Sequence, residues 1–461
     1  MDNLFGGHRA KKSRSWSPVR IIVLSFLGII IAGTALLTMP FSSNSGQFTH
    51  VVDALFTATS ATCVTGLSVF DTWQYWSVFG QIVILLLIQV GGLGLVTFTT
   101  GFTLLFRQKL GIKDMALAKE SSGADALDVK HLLKTIFAFT FSVELIGALV
   151  LMIRFVPQAG ALGIWVSVFT AISAFCNAGF DIFTSLGDGV STVTFGNDPL
   201  VAFTLICLIV VGGLGFIVVS DIFLRKMMPL AKRETTKRLS FHTHVVLVAT
   251  AFLLVAGATA IMISEYNHAL KDYNFFEKML VSLFQSASSR TAGFAPIDPS
   301  SQNSITKIIS VLLMFIGGSP SSTAGGIKTT TVVVLFAAVH SVLRGRSEVI
   351  FLKRRIDMGT VLQSVTIVVC GMTIALITAI IIMVSVKQVT TLDALYESVS
   401  AFSTTGFNAP FTPGLTIVAK IALVVNMFVG RVGPISLGLS LVNRKVRHSE
   451  SILPDGKIIV G

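Results

Sequence analysis

The stretch DALFTATSATCVTGL, from Asp53 to Leu67, decides the fold of this chain, because three related stretches follow it at a nearly constant interval. The copies are SVFTAISAFCNAGF (Ser167 to Phe180), LVSLFQSASSRTAGF (Leu280 to Phe294) and DALYESVSAFSTTGF (Asp393 to Phe407). Aligned on a shared glycine, they lie 113, 114 and 113 residues apart, at Gly66, Gly179, Gly293 and Gly406. So regular a spacing indicates four tandem repeats of one structural unit.

The composition is that of a polytopic membrane protein. Of the 461 residues, 52% are hydrophobic and only 13% are charged, whereas a soluble chain carries about a quarter charged residues. Apolar runs recur that are long enough to cross a hydrocarbon core of about 30 Å. The sequence therefore excludes a soluble protein and predicts an all-α integral membrane fold.

The formal net charge of +12 is distributed as in a membrane protein rather than a nucleic-acid binder. Most lysines and arginines fall between apolar runs or at a terminus, in blocks 9–20, 107–134, 225–238, 344–355 and 444–457. This is the positive-inside pattern, and it predicts a multi-pass protein of the cell (inner) membrane with both termini cytoplasmic. The expected surroundings are membrane lipid, and no nucleic-acid partner is expected.

Each repeat consists of a span, the patterned segment and a second span, which predicts eight transmembrane helices around a central pore. The boundaries are a cytoplasmic tail at 1–18, repeats at 19–106, 133–224, 243–343 and 362–442, cytoplasmic loops at 107–132, 225–242 and 344–361, and a cytoplasmic tail at 443–461. The first apolar run, 21–39, is too long for a signal peptide and precedes seven further spans. An uncleaved first helix is favoured.

The patterned segments are too short to cross a bilayer, since ten helical residues span only about 15 Å. We predict re-entrant pore loops that enter from outside, end halfway and return, lined by protein or water. A short external helix that serves packing alone is the alternative, which four copies with a common glycine disfavour. Asp53 and Asp393 begin two of these helices and are interpreted as caps rather than ion ligands.

The chemistry of the repeated segment suits a potassium filter. A dehydrated K⁺ ion needs a shell of oxygens, which channels supply with backbone carbonyls, and one residue of such a strand often adopts a conformation that favours glycine. The stretches that fit are Thr62-Cys63-Val64-Thr65-Gly66, Phe175-Cys176-Asn177-Ala178-Gly179, Ser289-Arg290-Thr291-Ala292-Gly293 and Phe402-Ser403-Thr404-Thr405-Gly406.

The second spans share a glycine motif: QVGGLG (89–94), VVGGLG (210–215), FIGGSP (315–320) and FVGRVG (428–433). In the first two copies the glycine pairs are expected to serve close helix packing. The third continues as GGSPSSTAGG (317–326), which is small, polar and rich in helix breakers. We therefore expect only the third span to be broken, with its loop in the cavity below the pore loops.

These motifs resemble the Trk/Ktr/HKT superfamily of potassium transporters, and within it most closely the membrane (pore) subunit of bacterial Ktr-type systems. The resemblance covers essentially the whole chain and rests on TCVTGL (62–67), NAGF (177–180), RTAGF (290–294), TTGF (404–407), GGSPSSTAGGIKT (317–329) and GRVGP (430–434). It implies that Gly66, Gly179, Gly293 and Gly406 form the selectivity filter. Glycine at all four positions matches the K⁺-selective members.

The resemblance also implies a gate in the intramembrane loop 317–327, with Lys328 at its end and Arg431 facing it. The loop residues are Gly317, Gly318, Ser319, Pro320, Ser321, Ser322, Thr323, Ala324, Gly325 and Gly326. A lone arginine deep in an apolar span is costly and pairs with carbonyls or lines water. Below a cation filter it opposes conduction, which favours a gate over a structural tie between repeats.

Four further polar residues received an interpretation. Arg290 is expected to bond to nearby backbone or to Asp298, outside the conduction line. Cys63 and Cys176 occupy equivalent positions, three residues before a glycine, and are assigned to packing rather than redox chemistry. Glu144 is either a coupling site or, as favoured, a helix–helix hydrogen-bond partner.

The predicted function is that of a K⁺-translocating pore subunit. The alternative is a proton- or Na⁺-coupled cation carrier of the same fold with weaker K⁺ selectivity. A carrier would show titratable residues at midplane, and apart from Glu144 there are almost none. No metallohydrolase or Ser/Lys motif suggests an enzyme, and no Gly-rich nucleotide motif follows a strand. K⁺ is the expected substrate, no cofactor is expected, and Na⁺ is expected to act either as an activator or as a cotransported ion. The resemblance implies a homodimer and a separate cytosolic nucleotide-binding ring subunit.

Overall fold

The computed structural model describes residues 18–94, 129–227, 239–346, 348–434 and 438. Nearly all of the predicted tail 1–18, most of the loops 107–132 and 225–242, and the tail 443–461 lie outside these residues. The same holds for the ends of two second spans, 95–106 and 435–442, apart from residue 438. The basic blocks are therefore largely untested by the structure.

A long helix, a shorter helix and a further helical segment follow one another four times, and we call them the first helix, pore helix and second helix of each repeat. In repeats 1 and 2 they are Pro18–Thr38, Val51–Cys63 and Val78–Leu93, then Val129–Ala159, Ala161–Phe175 and Pro199–Gly213 with Phe216–Met227. In repeats 3 and 4 they are Phe241–Glu265, Phe275–Ser288 and Ser304–Phe315 with Thr329–Leu343, then Met358–Ser385, Thr391–Ser403 and Ile417–Val432. A four-residue helix, Thr72–Tyr75, and four 3-10 turns lie in the connections: Pro40–Ser42, Phe183–Leu186, Thr192–Phe195 and Thr412–Gly414.

Within the described ranges, four helices are long and apolar enough to cross a membrane, and they are the first helices of the four repeats. The bent pair Pro199–Gly213 and Phe216–Ile222 makes a fifth when counted as one span. The remaining second helices are shorter apolar segments such as Val78–Leu93. The count of eight spans remains a prediction.

The pore helices are the buried centre of the bundle. In the first, every residue from Phe56 to Cys63 is buried, although the segment is rich in threonine and serine. The first helices instead expose large apolar side chains, such as Ile153 and Ile263, as suits contact with lipid. The largest buried apolar cluster packs around pore helices 1 and 2 and includes Phe155 and Phe169.

The expectation that only the third second helix is broken was wrong, because the second helix of repeat 2 bends by 95° after Gly213. Gly215 adopts a φ of 93°, which favours glycine. The break is supported by the third repeat: Phe216 N donates to Ser321 O at 2.8 Å and Ser319 N donates to Gly213 O at 3.1 Å. Two interrupted helices thus satisfy each other's freed backbone groups.

A short antiparallel hairpin, Val349–Phe351 with Arg354–Ile356, departs from the predicted all-α class. Its turn residues Leu352 and Lys353 have φ values of 46° and 63°, as a two-residue hairpin turn of this hand requires. The sequence offers neither glycine nor asparagine there, so the usual hairpin signal was absent. The hairpin lies between repeats 3 and 4, far along the chain from the repeated glycines.

Polar contacts join each repeat to the next near the start of its pore helix. Trp165 Nε1 donates to Gln81 Oε1 at 2.8 Å, and Asn197 Nδ2 donates to Glu277 Oε1 at 3.4 Å. Lys307 pairs with Asp393 at 2.7 Å, and Lys420 pairs with Asp53 at 2.6 Å. Both aspartates lie in the first turn of a pore helix, and their interpretation as caps was wrong, because the caps are His50 and Thr390. Their carboxylates bind lysines from the preceding repeat in this cyclic order.

Candidate functional site

Each pore helix ends in the same unusual backbone conformation. The residue two before each glycine is left-handed, with φ of 58° at Val64, 59° at Asn177, 72° at Thr291 and 53° at Thr404. The glycines follow with φ of 93° at Gly66, 69° at Gly179, 81° at Gly293 and 95° at Gly406. A left-handed β-branched residue is strained and persists only where its surroundings hold it.

A serine in the pore helix holds this conformation in repeats 1 and 4. Thr65 N donates to Ser60 O at 2.7 Å, and Gly66 N donates to the Ser60 hydroxyl at 3.1 Å. Thr405 N and Gly406 N bind Ser400 in the same way, at 2.8 and 3.1 Å. The sequence analysis missed these serines, although a Ser-Ala pair recurs in every copy.

The Ser-Ala pair is used differently in the other two repeats. Ser173 accepts the amide of Ala178 at 2.7 Å through its carbonyl, and its hydroxyl donates to Phe180 O at 2.6 Å. In repeat 3 the pair begins at Ser286, seven residues before the glycine rather than six. We call the four stretches that end in these glycines the filter strands, after their predicted role. They are alike in backbone path but differ in the hydrogen bonds that hold them.

The four glycines form a closed ring in which each faces the next repeat. A methyl group added at any of them would overlap the carbonyl oxygen that precedes the following glycine. The pairs are Gly66 with Ala178 O, Gly179 with Ala292 O, Gly293 with Thr405 O and Gly406 with Thr65 O. Glycine is required at these positions both for φ and for this close approach.

A cavity of about 630 Å³ lies over the ring, and we call it the vestibule. It is lined by the four filter glycines and by residues that follow them in the chain, including Asp71, Asp181, Asp298 and Asn408. Burial raises the pKa of Asp181 to about 6, and the nearby Asp71 carboxylate adds to the shift. Carboxylates over a narrow opening concentrate cations there.

The ring is also rich in oxygen atoms without partners. The side-chain hydroxyls of Thr62, Thr65, Thr291, Thr404 and Thr405 are buried and have no hydrogen-bond partner among the described residues. Buried hydroxyls are normally paired. Neutral oxygens of this kind, with backbone carbonyls, are the ligands that suit an alkali cation.

The second helices contact the backs of the filter strands through their first motif glycine. An added methyl group would overlap Thr62 O at Gly91, Phe175 O at Gly212 and Phe402 O at Gly430. Gly92 lies against Cys176, with an added Cβ 2.7 Å from its sulfur. Close packing was expected of the first two copies, and its targets are the ends of the pore helices.

The segment Ile316–Lys328 is not helical and lies against residues that precede the glycines. Thr323 Oγ1 donates to Phe175 O at 3.2 Å and lies 3.2 Å from the side-chain amide of Asn177. An added Cβ at Gly326 would lie 3.2 Å from Ser403 Cα, and one at Gly317 would lie 3.2 Å from Thr291 Cγ2. The loop thus touches the pore-helix ends of repeats 2, 3 and 4.

Arg431 ties this loop to the first repeat. Its guanidinium donates to Thr323 O in the loop and to Gly91 O at the end of the second helix of repeat 1, with a further contact to Gly92 O at 3.4 Å. Lys328 Nζ donates to Ala324 O at 2.7 Å, within the loop itself. Both cations are held by backbone carbonyls, as expected for charges within a membrane protein.

The other polar residues interpreted from the sequence differ in the contacts they make. Arg290, expected to bond to nearby backbone or to Asp298, is only 7% exposed and makes no ion pair with Asp298 in the described part of the chain. Asp298 instead accepts from Ser300. Cys63 and Cys176 are buried free thiols. Glu144 accepts the side-chain amide of Gln89 from a neighbouring helix at 3.0 and 3.2 Å, which is the favoured helix–helix contact.

The sequence analysis also missed Glu397 in pore helix 4. Its fully buried carboxylate accepts Ala409 N at 2.6 Å and the Thr412 hydroxyl at 2.9 and 3.0 Å. It thereby fastens the chain just beyond Gly406 to the pore helix before it. The signal was a carboxylate within the Ser-rich part of DALYESVSAFS, beyond the first turn of the helix.

Comparison with known proteins gives a consistent result over nearly the whole chain. Residues 7–451 match the family model of TrkH, described as a cation transport protein. The chain is 36% identical to Ktr system potassium uptake protein B of Bacillus subtilis, over 97% of both chains. It is 37% identical to the protein of the same name from Vibrio alginolyticus, over 93% of this chain and 92% of the relative.

Two further comparisons extend this likeness. The potassium/sodium uptake protein NtpJ of Enterococcus hirae is 34% identical, over 96% of this chain and 97% of the relative. The crystal structure of the potassium transporter TrkH from Vibrio parahaemolyticus superposes with a TM-score of 0.72 at 16% identity, covering 96% of this chain and 87% of that one, and shows a shared fold. This chain belongs to the TrkH family of cation transport proteins.

Proposed function

We propose that this chain is the K⁺-translocating pore subunit of a potassium uptake system in the cell membrane. The observation that carries the proposal is the closed ring of four glycines, each facing the carbonyl that precedes the next. Ions would pass along the ring axis, coordinated by the carbonyls and hydroxyls of the filter stretches. The family consists of transporters, so the chain is not an enzyme.

We propose further that the vestibule faces the outside and that the loop and Arg431 form the gate on the other side of the ring. The loop contacts the residues that precede the filter glycines, so it lies where an ion would leave the filter. A guanidinium there repels the arriving cation. Because Arg431 also ties repeat 1 to the loop, the gate and the structural tie are one contact.

The wider assembly is inferred from the relatives. Two relatives are named as components of a Ktr system, which supports a partner subunit, and we propose a homodimer with a cytosolic nucleotide-binding ring. One relative is named for potassium and sodium uptake, which supports a part for Na⁺ in transport, and we propose that K⁺ uptake depends on Na⁺. The eight spans, the predicted domain boundaries and the cytoplasmic termini belong to the same proposal.

The first test is complementation of a bacterium that cannot take up K⁺, at low K⁺, with and without added Na⁺. Growth that requires this chain and is enhanced by Na⁺ is the expected result. Growth without K⁺ accumulation would contradict the proposal.

The filter assignment is tested by Gly66→Ser. Residue 66 has a φ of 93°, and a side chain there would overlap Ala178 O, so the ring must distort. We expect the K⁺/Na⁺ uptake ratio to fall roughly tenfold or more, which corresponds to a free-energy change of about 1.4 kcal/mol. The matched control is Gly46→Ser, where φ is also positive, at 66°, but no atom lies within 4 Å of an added Cβ. Equal ratios in wild type and Gly66→Ser would refute the filter.

The carrier alternative keeps one supporting observation, the buried carboxylate of Glu144 between two helices. A proton- or Na⁺-coupled carrier accumulates cation against its gradient when only the coupling gradient is applied. Measuring uptake into proteoliposomes at zero membrane potential, with an imposed proton or Na⁺ gradient, separates it from a pore.

A further inference from the structure

We propose that Glu144 is a positioning residue which, through Gln89, holds both the filter strand of repeat 2 and the carbonyl acceptors of Arg431. The inference rests on the proposed function, because it assigns Glu144 a part in the selectivity and gating of that same pore. It makes Glu144 more than the helix–helix contact that the sequence favours.

Three side chains from three segments meet behind the filter of repeat 2. Gln89 comes from the second helix of repeat 1, Glu144 from the first helix of repeat 2, and Cys176 from the end of pore helix 2. The Gln89 amide donates to both carboxylate oxygens of Glu144. The Cys176 sulfur lies 3.8 Å from Gln89 Oε1 and 3.8 Å from Glu144 Oε1. Their exposed fractions are 8%, 4% and 0%.

The Gln89 side chain fixes the helix end that separates two filter strands. Two residues on, Gly91 packs against Thr62 O of the first filter strand, and Gly92 packs against Cys176 of the second. Neither contact has room for a methyl group. A small displacement of this helix end therefore changes the back of both strands at once.

The same helix end supplies the acceptors of the gate arginine, Gly91 O and Gly92 O. From Arg431 the contacts continue to Thr323 in the loop and from Thr323 to Phe175 O, the residue before Cys176. The path thus returns to Glu144 through Cys176 and closes a circuit around the second filter strand. Glu144 is the member of that circuit that carries a carboxyl group.

Among the described residues, the Glu144 carboxylate accepts from the Gln89 amide and, at 3.8 Å, from the Cys176 thiol, and Gln89 is its only amide donor. The carboxylate and the amide therefore depend on each other. Glu144→Leu leaves the Gln89 amide buried without its partner, which is worse than removing both. Glu144→Gln keeps the shape and retains an oxygen that accepts from the same amide. The two substitutions therefore differ in the contact but little in volume.

The experiment measures basal Rb⁺ efflux and the K⁺/Na⁺ competition ratio in proteoliposomes of the full chain. We expect Glu144→Leu and Gln89→Leu each to raise basal efflux and lower the ratio at least threefold. Glu144→Gln should lie closer to wild type, and the double Leu variant should be no worse than Glu144→Leu alone, because both act through one contact.

The matched control is Glu265, a fully buried carboxylate at the end of the first helix of repeat 3. It accepts Asn303 N at 2.9 Å and Ala269 N at 3.2 Å, in a connection that does not touch the filter. Glu265→Leu should lower stability with flux and ratio within twofold of wild type. Equal changes in Glu265→Leu and Glu144→Leu would overturn the proposal, as would wild-type flux and ratio in Gln89→Leu and Glu144→Leu.

Failure of this inference is distinguishable from failure of the proposed function. If Gly66→Ser lowers the ratio and Arg431→Ala raises efflux while the Gln89 and Glu144 variants behave as wild type, the pore stands and the positioning role is refuted. If Glu144→Leu does not insert into the membrane, the comparison of Gln89→Leu with Glu144→Gln tests the proposal instead.

Discussion

At the scale of single residues, the proposed filter is built from conformations that its side chains disfavour. Val64, Thr291 and Thr404 are β-branched and left-handed, a combination that costs of order 1–3 kcal/mol each. Such strain persists because the surroundings over-determine it, here through the serine contacts and the neighbouring strand. Residues that only hold the strand in place should therefore affect selectivity as well.

Glu397 is one such residue, and Glu397→Gln tests it. The amide nitrogen of the glutamine replaces one carboxylate oxygen, so Ala409 N or the Thr412 hydroxyl loses an acceptor and the strand beyond Gly406 loosens. We expect a severalfold lower K⁺/Na⁺ uptake ratio, and a smaller loss in Thr412→Val. Thr412→Ser keeps the hydroxyl and serves as control; unchanged ratios in the Gln and Val variants would contradict the role.

Asp181 gives the vestibule a pH dependence. Since burial raises its pKa to about 6, the carboxylate is charged above that pH and neutral below it. Acidifying the vestibule side from about pH 7.5 to 5.5 should therefore remove one negative charge and lower initial K⁺ uptake at low K⁺. The other carboxylates lining the vestibule are Asp71 and Asp298.

The readout is the rate of Rb⁺ uptake against external pH. Asp181→Asn should be slower at neutral pH and should lose the step near pH 6. Asp298→Asn also removes a vestibule charge but should retain the step. A step that survives in Asp181→Asn would assign it to another group.

At the scale of elements, the second helices serve the filter rather than merely surround it. In repeats 1, 2 and 4 the same motif glycine meets the same pore-helix carbonyl. In repeat 3 the helix stops at Phe315 and the chain lies against the filter as a loop. The first motif glycine thus supplies close contact in three repeats, whereas in repeat 3 the helix ends before that glycine is reached.

The loop and Arg431 should restrain ion flow together. Deleting Ser319 to Ala324 removes Thr323, an acceptor of Arg431, and Arg431→Ala removes the donor. A hydrogen bond to a charged group contributes about 1.5–3 kcal/mol, so basal flux should rise about tenfold or more in either variant.

Basal Rb⁺ efflux from proteoliposomes measures this effect, with membrane insertion checked for each variant. Arg431→Lys is the informative comparison, because a lysine keeps the charge but lacks the planar fork that reaches two carbonyls. Lower flux in Arg431→Ala at normal expression would mean that the arginine supports the open pore instead.

Much of this arrangement was predictable from the sequence because repetition marks shared geometry. The glycine interval located the ring, and the breaker-rich run at 317–326 located the non-helical loop. The bend in repeat 2 was not predictable, because VVGGLG differs little from QVGGLG and the loop that supports the bend comes from another repeat. The left-handed residues were also hidden, since Val64 and Asn177 share no side-chain chemistry.

At the scale of the whole molecule, the ring of four repeats is closed by non-covalent contacts between the last repeat and the first. Repeat 4 meets repeat 1 at Gly406 against Thr65 O, and beyond the filter at the ion pair of Lys420 with Asp53. That pair is 12% and 14% exposed, between a surface and a buried ion pair. It should matter for stability more than a surface pair does.

Lys420→Met should lower the free energy of unfolding by roughly 1–3 kcal/mol, since Asp53 is left partly buried without its cation. The exchanged pair, Lys420→Asp with Asp53→Lys, should recover part of the loss. Recovery is partial because a cation in the first turn of a helix opposes the helix dipole. Thermal unfolding in detergent measures the stability of Lys420→Met and of the exchanged pair. An exchanged pair no more stable than Lys420→Met would contradict a stabilising role for this ion pair.

The ring of glycines also has a direction. The backbone nearest to an added Cβ belongs to repeat 2 at Gly66, to repeat 3 at Gly179 and to repeat 1 at Gly406. At Gly293 the nearest atom is Thr405 O of repeat 4, followed by Gly179 Cα of repeat 2. A change in one copy is therefore felt first by the copy that follows it, and compensation for that change belongs there too. Four duplicated segments in such a circle are not free to diverge independently: each inherits a constraint from its predecessor and passes one on.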